Sequence, residues 1–272
     1  MEALLTFVQN MSPVQKLTWV VSCLTLHWLV ENWAPLFNHE YKKWRHARTN
    51  LILLSFTIAI NLLFGLATVS IFKWAAVNKV GLLYYVDFPL WAELLIAFLI
   101  LDFVGQYGVH YFLHKVRWMW RFHMVHHSDT HVDATTGTRH HPGDYFIREC
   151  FALGAIVVVG APLAFYLFYR VTTVFFAYFS HANMNMPLWL DKALSFVIIT
   201  PNMHKFHHHV ERPWTDSNYG NIFSIWDRIF GTFVYDDPKK VVYGLDVLEG
   251  KPDEDLLYQL KVPFDKTIKT DT

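Results

Sequence analysis

At 272 residues the chain is long enough for one or two soluble domains, but 53% of it is hydrophobic, 17% aromatic and only 17% charged, against about 25% charged in an ordinary soluble protein. A mean hydropathy of +0.22 and apolar residues gathered in long blocks exclude a typical soluble globule and point to a membrane protein. The formal net charge is zero, so there is no electrostatic footprint for nucleic acid and none is expected as a partner.

In chain order, residues 14–37 form the first apolar block, long enough for the ~20 residues that a bilayer core requires. No basic region precedes it and no small-residue cleavage site follows, so it reads as a span and not as a cleavable signal peptide. Residues 51–74 are the second block and the most uniformly apolar. The third, 89–114, opens on Pro89, which suits a helix start. Residues 146–181 are apolar but broken by Gly160 and Pro162, which predicts a hairpin of two short helices with limited depth. Residues 188–200 are too short to span and are expected to lie along the membrane surface. Cys23 and Cys150 both fall in apolar stretches, so they are expected to be small buried hydrophobes without a disulfide. The expected fold is all-α, an integral membrane helical bundle of about four spans or span-equivalents carrying a cytoplasmic helical cap. Residues 1–88 are the N-terminal transmembrane region, 89–235 the histidine-bearing domain and 236–272 a soluble tail. In that tail Leu256, Leu257, Leu260, Pro263 and Phe264 are placed to pack beneath the domain.

Basic residues set the orientation. Lys42, Lys43, Arg45 and Arg48 follow the first block, whereas only Lys73 and Lys79 follow the second. The positive-inside rule makes the first connection cytoplasmic. The third span then returns its C-terminal end to that side, just ahead of Lys115, Arg117 and Arg121, and the hairpin brings the chain back to the same face.

Histidines dominate that face. The boxes are His110-x-x-x-His114, His123-x-x-His126-His127 and His204-x-x-His207-His208, with spacings that align imidazoles one helical turn apart. One such pair is weak evidence, since exposed helical histidines often do nothing. Three boxes on one predicted face indicate a metal site rich in nitrogen. His209 extends the last run, and His207 and His208 are chosen by analogy with His126 and His127. A structural zinc site closes with four ligands, and neither His-Glu-x-x-His nor Glu-x-x-His occurs. The ligand count fits a nitrogen-rich di-iron centre. Asp102, Gln106, His110 and His114 fall at steps of four along the third span. An ionisable Asp102 inside a span is either functional or paired with a neighbouring helix.

From about residue 102 to 264 the chain resembles the fatty acid hydroxylase and sterol desaturase superfamily of integral membrane di-iron oxygenases. The motifs are Trp120-Arg121-Phe122-His123-Met124-Val125-His126-His127-Ser128-Asp129, Arg139-His140-His141-Pro142, His181-Ala182-Asn183 and Thr200-Pro201-Asn202-Met203-His204. Asp216-Ser217-Asn218-Tyr219-Gly220 and Trp226-Asp227-Arg228-Ile229-Phe230-Gly231-Thr232 complete the pattern. The resemblance implies that the three boxes hold two irons together with a further histidine, a place His181 occupies. His141, Asn185 and His209 are extra candidates. It further implies use of dioxygen on an unactivated C–H bond of a membrane lipid, giving an alcohol, or a double bond if a second hydrogen is removed. Hydroxylation is the leading expectation, with desaturation and ether-lipid oxygenation as alternatives. Ligating imidazoles need acceptors for their other N–H, and Asp102, Asp129, Asp216 and Asp227 are the expected partners. Electrons are expected from a separate ferredoxin, rubredoxin or cytochrome-type protein. His141-Pro142-Gly143-Asp144 resembles a haem-binding turn, but no second haem ligand or soluble fold accompanies it. A divalent-metal transporter would place its ligands near the bilayer midplane, whereas these boxes flank the spans. A lipid-binding relative without activity would not need intact boxes.

Overall fold

The computed structural model of the chain describes residues 1–38 and 41–270. Helix α1 (Glu2–Gln9), not anticipated from the sequence, buries Leu5 and Val8. Helix α2 (Pro13–Trp33) starts at a reciprocal cap between Ser12 and Gln15, with Pro13 in its first turn, where a missing N–H costs nothing. Helix α3 (Lys43–Asn78) is the longest rod.

Among the described residues, three helical stretches are long and apolar enough to cross a membrane: Lys43–Tyr84, Leu90–Lys115 and Leu163–His181. On α3, Leu62, Leu63, Leu66 and Val77 are at least 76% exposed, as suits side chains facing lipid. Helix α2 has the length to span, but Gln15, Lys16, Glu31 and Asn32 dilute it, and it does not join those three. Its buried side combines Cys23 and Leu24 with the polar His27 and Glu31. The Glu31 carboxylate accepts the backbone N–H groups of Ala134 and Asn183 at 2.9 and 3.1 Å and pairs with Lys43 at 2.8 Å.

The third span is not one regular helix. It runs as α4 (Leu90–Asp102), a π-helical turn (Phe103–Gly108) and α5 (Val109–Lys115). A π turn takes in one residue more than an α turn, so α5 is offset in rotation from α4 and the expected step-of-four ridge is interrupted. Extended Val116 then turns the chain into α6 (Arg117–His127). A 3-10 turn (Ala134–Thr138), capped by Asp133, leads to α7 (Pro142–Val159). A hairpin to α8 (Leu163–His181) forms, with Gly160 closing α7 in the left-handed region at φ +64°, but its helices of 18 and 19 residues are not the short pair expected, and α8 is long enough to span. A Cβ on the facing Gly81 would lie 2.3 Å from the Gly160 backbone, so this close approach requires glycine. Ala97, Leu101, Ala155, Ile156, Phe165 and Tyr166 make the core where α4, α7 and α8 meet.

Short helices complete the cap: α9 (Leu188–Leu194), α10 (Pro201–His207), α11 (Ile225–Ile229) and α12 (Leu256–Lys261). Among the described residues there is no strand, only isolated bridges such as His209 with Tyr243. The tail packs under α6 through Leu245, Leu248, Val262 and Ile268, with Leu256 and Leu260 against them. One tail expectation is corrected, since Leu257 is 67% exposed; Phe264 is 66% exposed but sets its ring edge-on against Phe122 at 5.8 Å. Polar bonds add to this packing, since Arg121 donates to the carbonyls of Pro263 at 2.7 Å, Ile268 at 3.3 Å and Asp265. Both cysteines are free, but only Cys23 is buried; Cys150 is exposed, because it falls on the outer side of α7.

Candidate metal centre

The helices bring the three boxes and the end of α8 to one buried place. His110, His114, His123, His127 and His207 form one cluster, and His126, His181, His204 and His208 a second, with ligand atoms within 4.8 Å of one another in each. The boxes divide between clusters because of helix geometry. His123 and His127 are one full turn apart on α6 and share a face, while His126 is rotated toward the neighbouring cluster. Likewise His207 joins the first cluster, and His204 and His208 the second. The clusters abut, with the His127 and His208 rings stacked at 4.7 Å. Lys205, itself buried, donates to the Ala182 carbonyl at 3.1 Å, which ties α10 to the end of α8 and so His204 to His181.

Hydrogen bonds fix the tautomers. The Nδ1 atoms of His110, His126, His181 and His207 face the carbonyls of Tyr219 (2.8 Å), Arg139 (3.2 Å), Ala177 (2.7 Å) and Ser217 (2.7 Å). A carbonyl can only accept, so each Nδ1 carries the proton. His123 Nδ1 donates to the Asp144 carboxylate at 2.8 Å and His114 Nδ1 to Asp216 at 3.3 Å. Burial pushes His123 down to about 3 against the pull of Asp144. Burial and then the neighbouring imidazoles hold His126, His127, His204, His207 and His208 below the ordinary histidine value. These rings are therefore neutral, and in each ring whose Nδ1 donates to an acceptor the Nε2 atom carries the lone pair. Yet His110 Nε2 lies 3.0 Å from His123 Nε2, and His126 Nε2 lies 3.2 Å from His181 Nε2. Two lone pairs at that separation, with no proton between them, repel. His114 Nε2, His207 Nε2 and both nitrogens of His127 and His208 are buried without a partner, which is costly in the absence of a ligand. A cation in each cluster removes both penalties, so the donor set fits bound metal.

The remaining expected residues go to other tasks. Asp216 reaches His114 and also Lys115, at 2.7 Å; burial opposes its ionisation, but these two partners hold it below the usual carboxylate range. Asp227 acts at one remove, accepting the N–H groups of Tyr219 and Gly220 at 2.8 and 3.0 Å, next to the Tyr219 carbonyl that orients His110. Asp129 touches no cluster histidine; it accepts from His46 at 2.8 Å and from Thr136 at 2.7 Å, locking α3 to the loop after α6. Asp102 is buried and accepts from Tyr169 on α8 (3.3 Å), the N–H groups of Ile222 and Phe223 (3.3 and 3.2 Å) and Trp226 Nε1 on α11 (3.1 Å), so it pairs with a neighbouring helix and anchors residues 222–226 without bonding a cluster histidine. None of the extra candidates enters a cluster. His141 caps α7 by accepting from Gly143 N–H at 2.9 Å, Asn185 is exposed, and His209 accepts the Val242 N–H at 3.0 Å.

Sequence reasoning missed Asp144, whose only signal was its place in the first turn of α7 with Arg148 four residues on. It also missed His46, and Arg139, a fully buried guanidinium beneath α6 that bonds the Val125 carbonyl, Asn50 and Ser128 at 2.8 to 3.0 Å. A cavity of about 220 Å³ runs from His110, His126, His181 and His204 between α3, α7 and α8.

The sequence model of the fatty acid hydroxylase family matches residues 94–232, half of the chain and all nine clustered histidines. The chain belongs to the fatty acid hydroxylase family. It is 28% identical over 180 residues to ornithine lipid hydroxylase OlsE of Rhizobium tropici, covering 66% of this chain and 53% of that protein. It is 34% identical over 157 residues to alkylglycerol monooxygenase of Xenopus tropicalis, covering 55% and 32%, and 26% identical over 171 residues to methylsterol monooxygenase 1-3 of Arabidopsis thaliana, covering 61% and 57%. The chain thus spans about half or less of the length of the first two relatives. No solved structure matches it.

Proposed function

We propose that this protein is a membrane-bound di-iron oxygenase that hydroxylates a C–H bond of a membrane lipid with dioxygen. One iron would be held by His110, His114, His123, His127 and His207, the other by His126, His181, His204 and His208. The observation that carries this reading is the opposition of neutral imidazole lone pairs in two abutting buried clusters. When bound, iron supplies the redox chemistry with dioxygen that imidazoles alone lack. The chain's own part is orientation and exclusion. The carbonyls of Tyr219, Arg139, Ala177 and Ser217, with Asp144 and Asp216, hold each ring's donor nitrogen outward so that Nε2 points inward. Burial keeps bulk water from the centre, and the cavity brings a lipid segment to it. Relatives named as hydroxylases and monooxygenases favour hydroxylation over desaturation. Residues 89–235 form the metal-bearing domain in this reading, and the basic residues around 42–48 and 115–121 put the centre on the cytoplasmic face. Electrons would come from a separate ferredoxin, rubredoxin or cytochrome-type donor.

The test is elemental analysis of the detergent-purified protein beside a His126→Ala, His207→Ala double variant, which removes one ligand from each cluster. The reading expects about two irons per chain, largely lost in the variant, and oxygenated lipid on adding reductant and dioxygen. Stoichiometric zinc without iron, or iron indifferent to both substitutions, overturns it.

A further inference from the structure

The cavity that leads to the clusters carries polar groups in its wall that a hydrocarbon tail alone would not need. Leu54, Ile58 and Val174 supply an apolar side, but four side chains around it have hydrogen-bonding capacity that the fold does not use. Thr57 is 9% exposed and its Oγ1 has no partner. The Tyr145 hydroxyl accepts from Arg170 Nη2 at 2.9 Å and from Asn61 Nδ2 at 2.8 Å. Neither nitrogen can take its proton back, so the O–H is left to donate elsewhere. Arg148 spends its Nε on Asp144 at 2.8 Å, and its two Nη groups bond no described residue; nor does the Gln106 amide. Tyr145 and Arg148 are three residues apart on α7 and therefore share the face that looks into the cavity. Charge in this wall is already balanced, Arg148 by Asp144 and Arg170 by Glu149, each at 2.8 Å.

Methylene groups packed against this wall would leave these donors without partners, whereas an acceptor oxygen would satisfy them. Balanced charge favours a neutral oxygen over an anion. At about 220 Å³ the cavity is smaller than the ~300–1,000 Å³ of sites that enclose a whole small ligand, so it holds only part of a lipid. We propose that it receives the oxygen-bearing end of a neutral lipid, a hydroxyl or a carbonyl oxygen held by Thr57, Tyr145, Arg148 and Gln106. The carbon presented to the clusters then lies within a few bonds of that oxygen, not in mid-chain or at the methyl end. This rests on the oxygenase reading for its chemistry, but not for its binding.

The experiment presents octadecan-1-ol, methyl octadecanoate, octadecanoate and octadecane at equal mole fraction to the iron-loaded full chain in nanodiscs, with reductant and dioxygen. Products are located by mass spectrometry, and retention of tritiated octadecan-1-ol is measured in parallel. The decisive variant is Thr57→Val. Because Oγ1 has no partner in the fold, a purely structural Thr57 predicts no change in either readout. The expected result is at least about 10-fold preference for the two neutral oxygenated lipids over octadecane, oxidation near the oxygen, and loss of most of that preference in Thr57→Val with iron content and Tm unchanged. Equal use of octadecane, oxidation in mid-chain, or conversion of octadecanoate alone overturns the proposal while leaving the oxygenase reading intact. If two irons are bound and no lipid is oxidised, the oxygenase reading fails. Retention of octadecan-1-ol by the unsubstituted protein but not by Thr57→Val would still uphold the cavity assignment, and equal retention would end it.

Discussion

Removing the Asp144 carboxylate separates two consequences that one side chain joins. It is fully buried, bonds His123 Nδ1 at 2.8 Å and pairs with Arg148, whose side chain is 11% exposed. Burial alone would raise its pKa, but Arg148 and then His123 hold it well below the usual carboxylate range, so it is charged at neutral pH. Asp144→Ala leaves the Arg148 guanidinium without its counter-charge, and breaking a buried pair from one side costs about 3–5 kcal/mol of stability. The same change strips His123 of the acceptor that fixes its tautomer, a loss that lowers metal affinity about 10–100-fold, or about 1.4–2.7 kcal/mol. The two losses should part in an Asp144→Ala, Arg148→Met double variant. Stability returns because no unpaired charge remains, while affinity stays low because His123 is still unsupported. Thermal unfolding in detergent reports the first quantity and competition with a chelator the second. Affinity within about 3-fold of the unsubstituted protein in both variants would refute the role assigned to Asp144, and recovery of both quantities together would reduce it to packing.

Three further outcomes follow from the same geometry. The metal-free protein should lose stability in acid: above about pH 6.5 His123, His126, His127, His204, His207 and His208 are neutral folded or unfolded, but below it the unfolded chain takes up protons that these buried rings refuse. Each such histidine contributes a slope of about 1.4 kcal/mol per pH unit, extending for His123 down to about 3; a Tm that is flat between pH 7 and 5 would contradict neutral clusters. Gly137→Ala would put a Cβ 2.7 Å from the Ala177 carbonyl that orients His181, so iron should fall from about two to about one per chain, with no loss counting against the assignment of His181. Arg121→Ala removes three charge-assisted bonds to tail carbonyls, each worth about 1.5–3 kcal/mol, and should speed proteolytic cleavage within 256–270; an unchanged cleavage rate would mean that apolar packing alone holds the tail.

The boxes were legible because a metal site written on helices repeats at the helical period, and lipid-facing spans advertise themselves by composition. Three features were not written locally. The division of His123, His126 and His127 between two clusters depends on the rotation of α6 relative to α5 and α10, and no spacing within a box encodes it. The π turn at Phe103–Gly108 has no residue signature that separates it from the α-helix around it, so Asp102 reads as part of a ridge with His110 although its bonds go to Tyr169 on α8 and to residues 222–226. Acceptors are the least legible of all. Four of the nine histidines are oriented by backbone carbonyls, which every residue possesses, and only two by carboxylates. A search of the sequence for aspartates near the boxes therefore finds Asp216 and misses the larger share of the support. It also credits Asp129, which stands two residues after His127 in the chain yet bonds His46 on α3. The sequence thus names the atoms that would touch metal, while the shell that makes those atoms ligands is a property of how α5, α6, α8 and α10 close on one another.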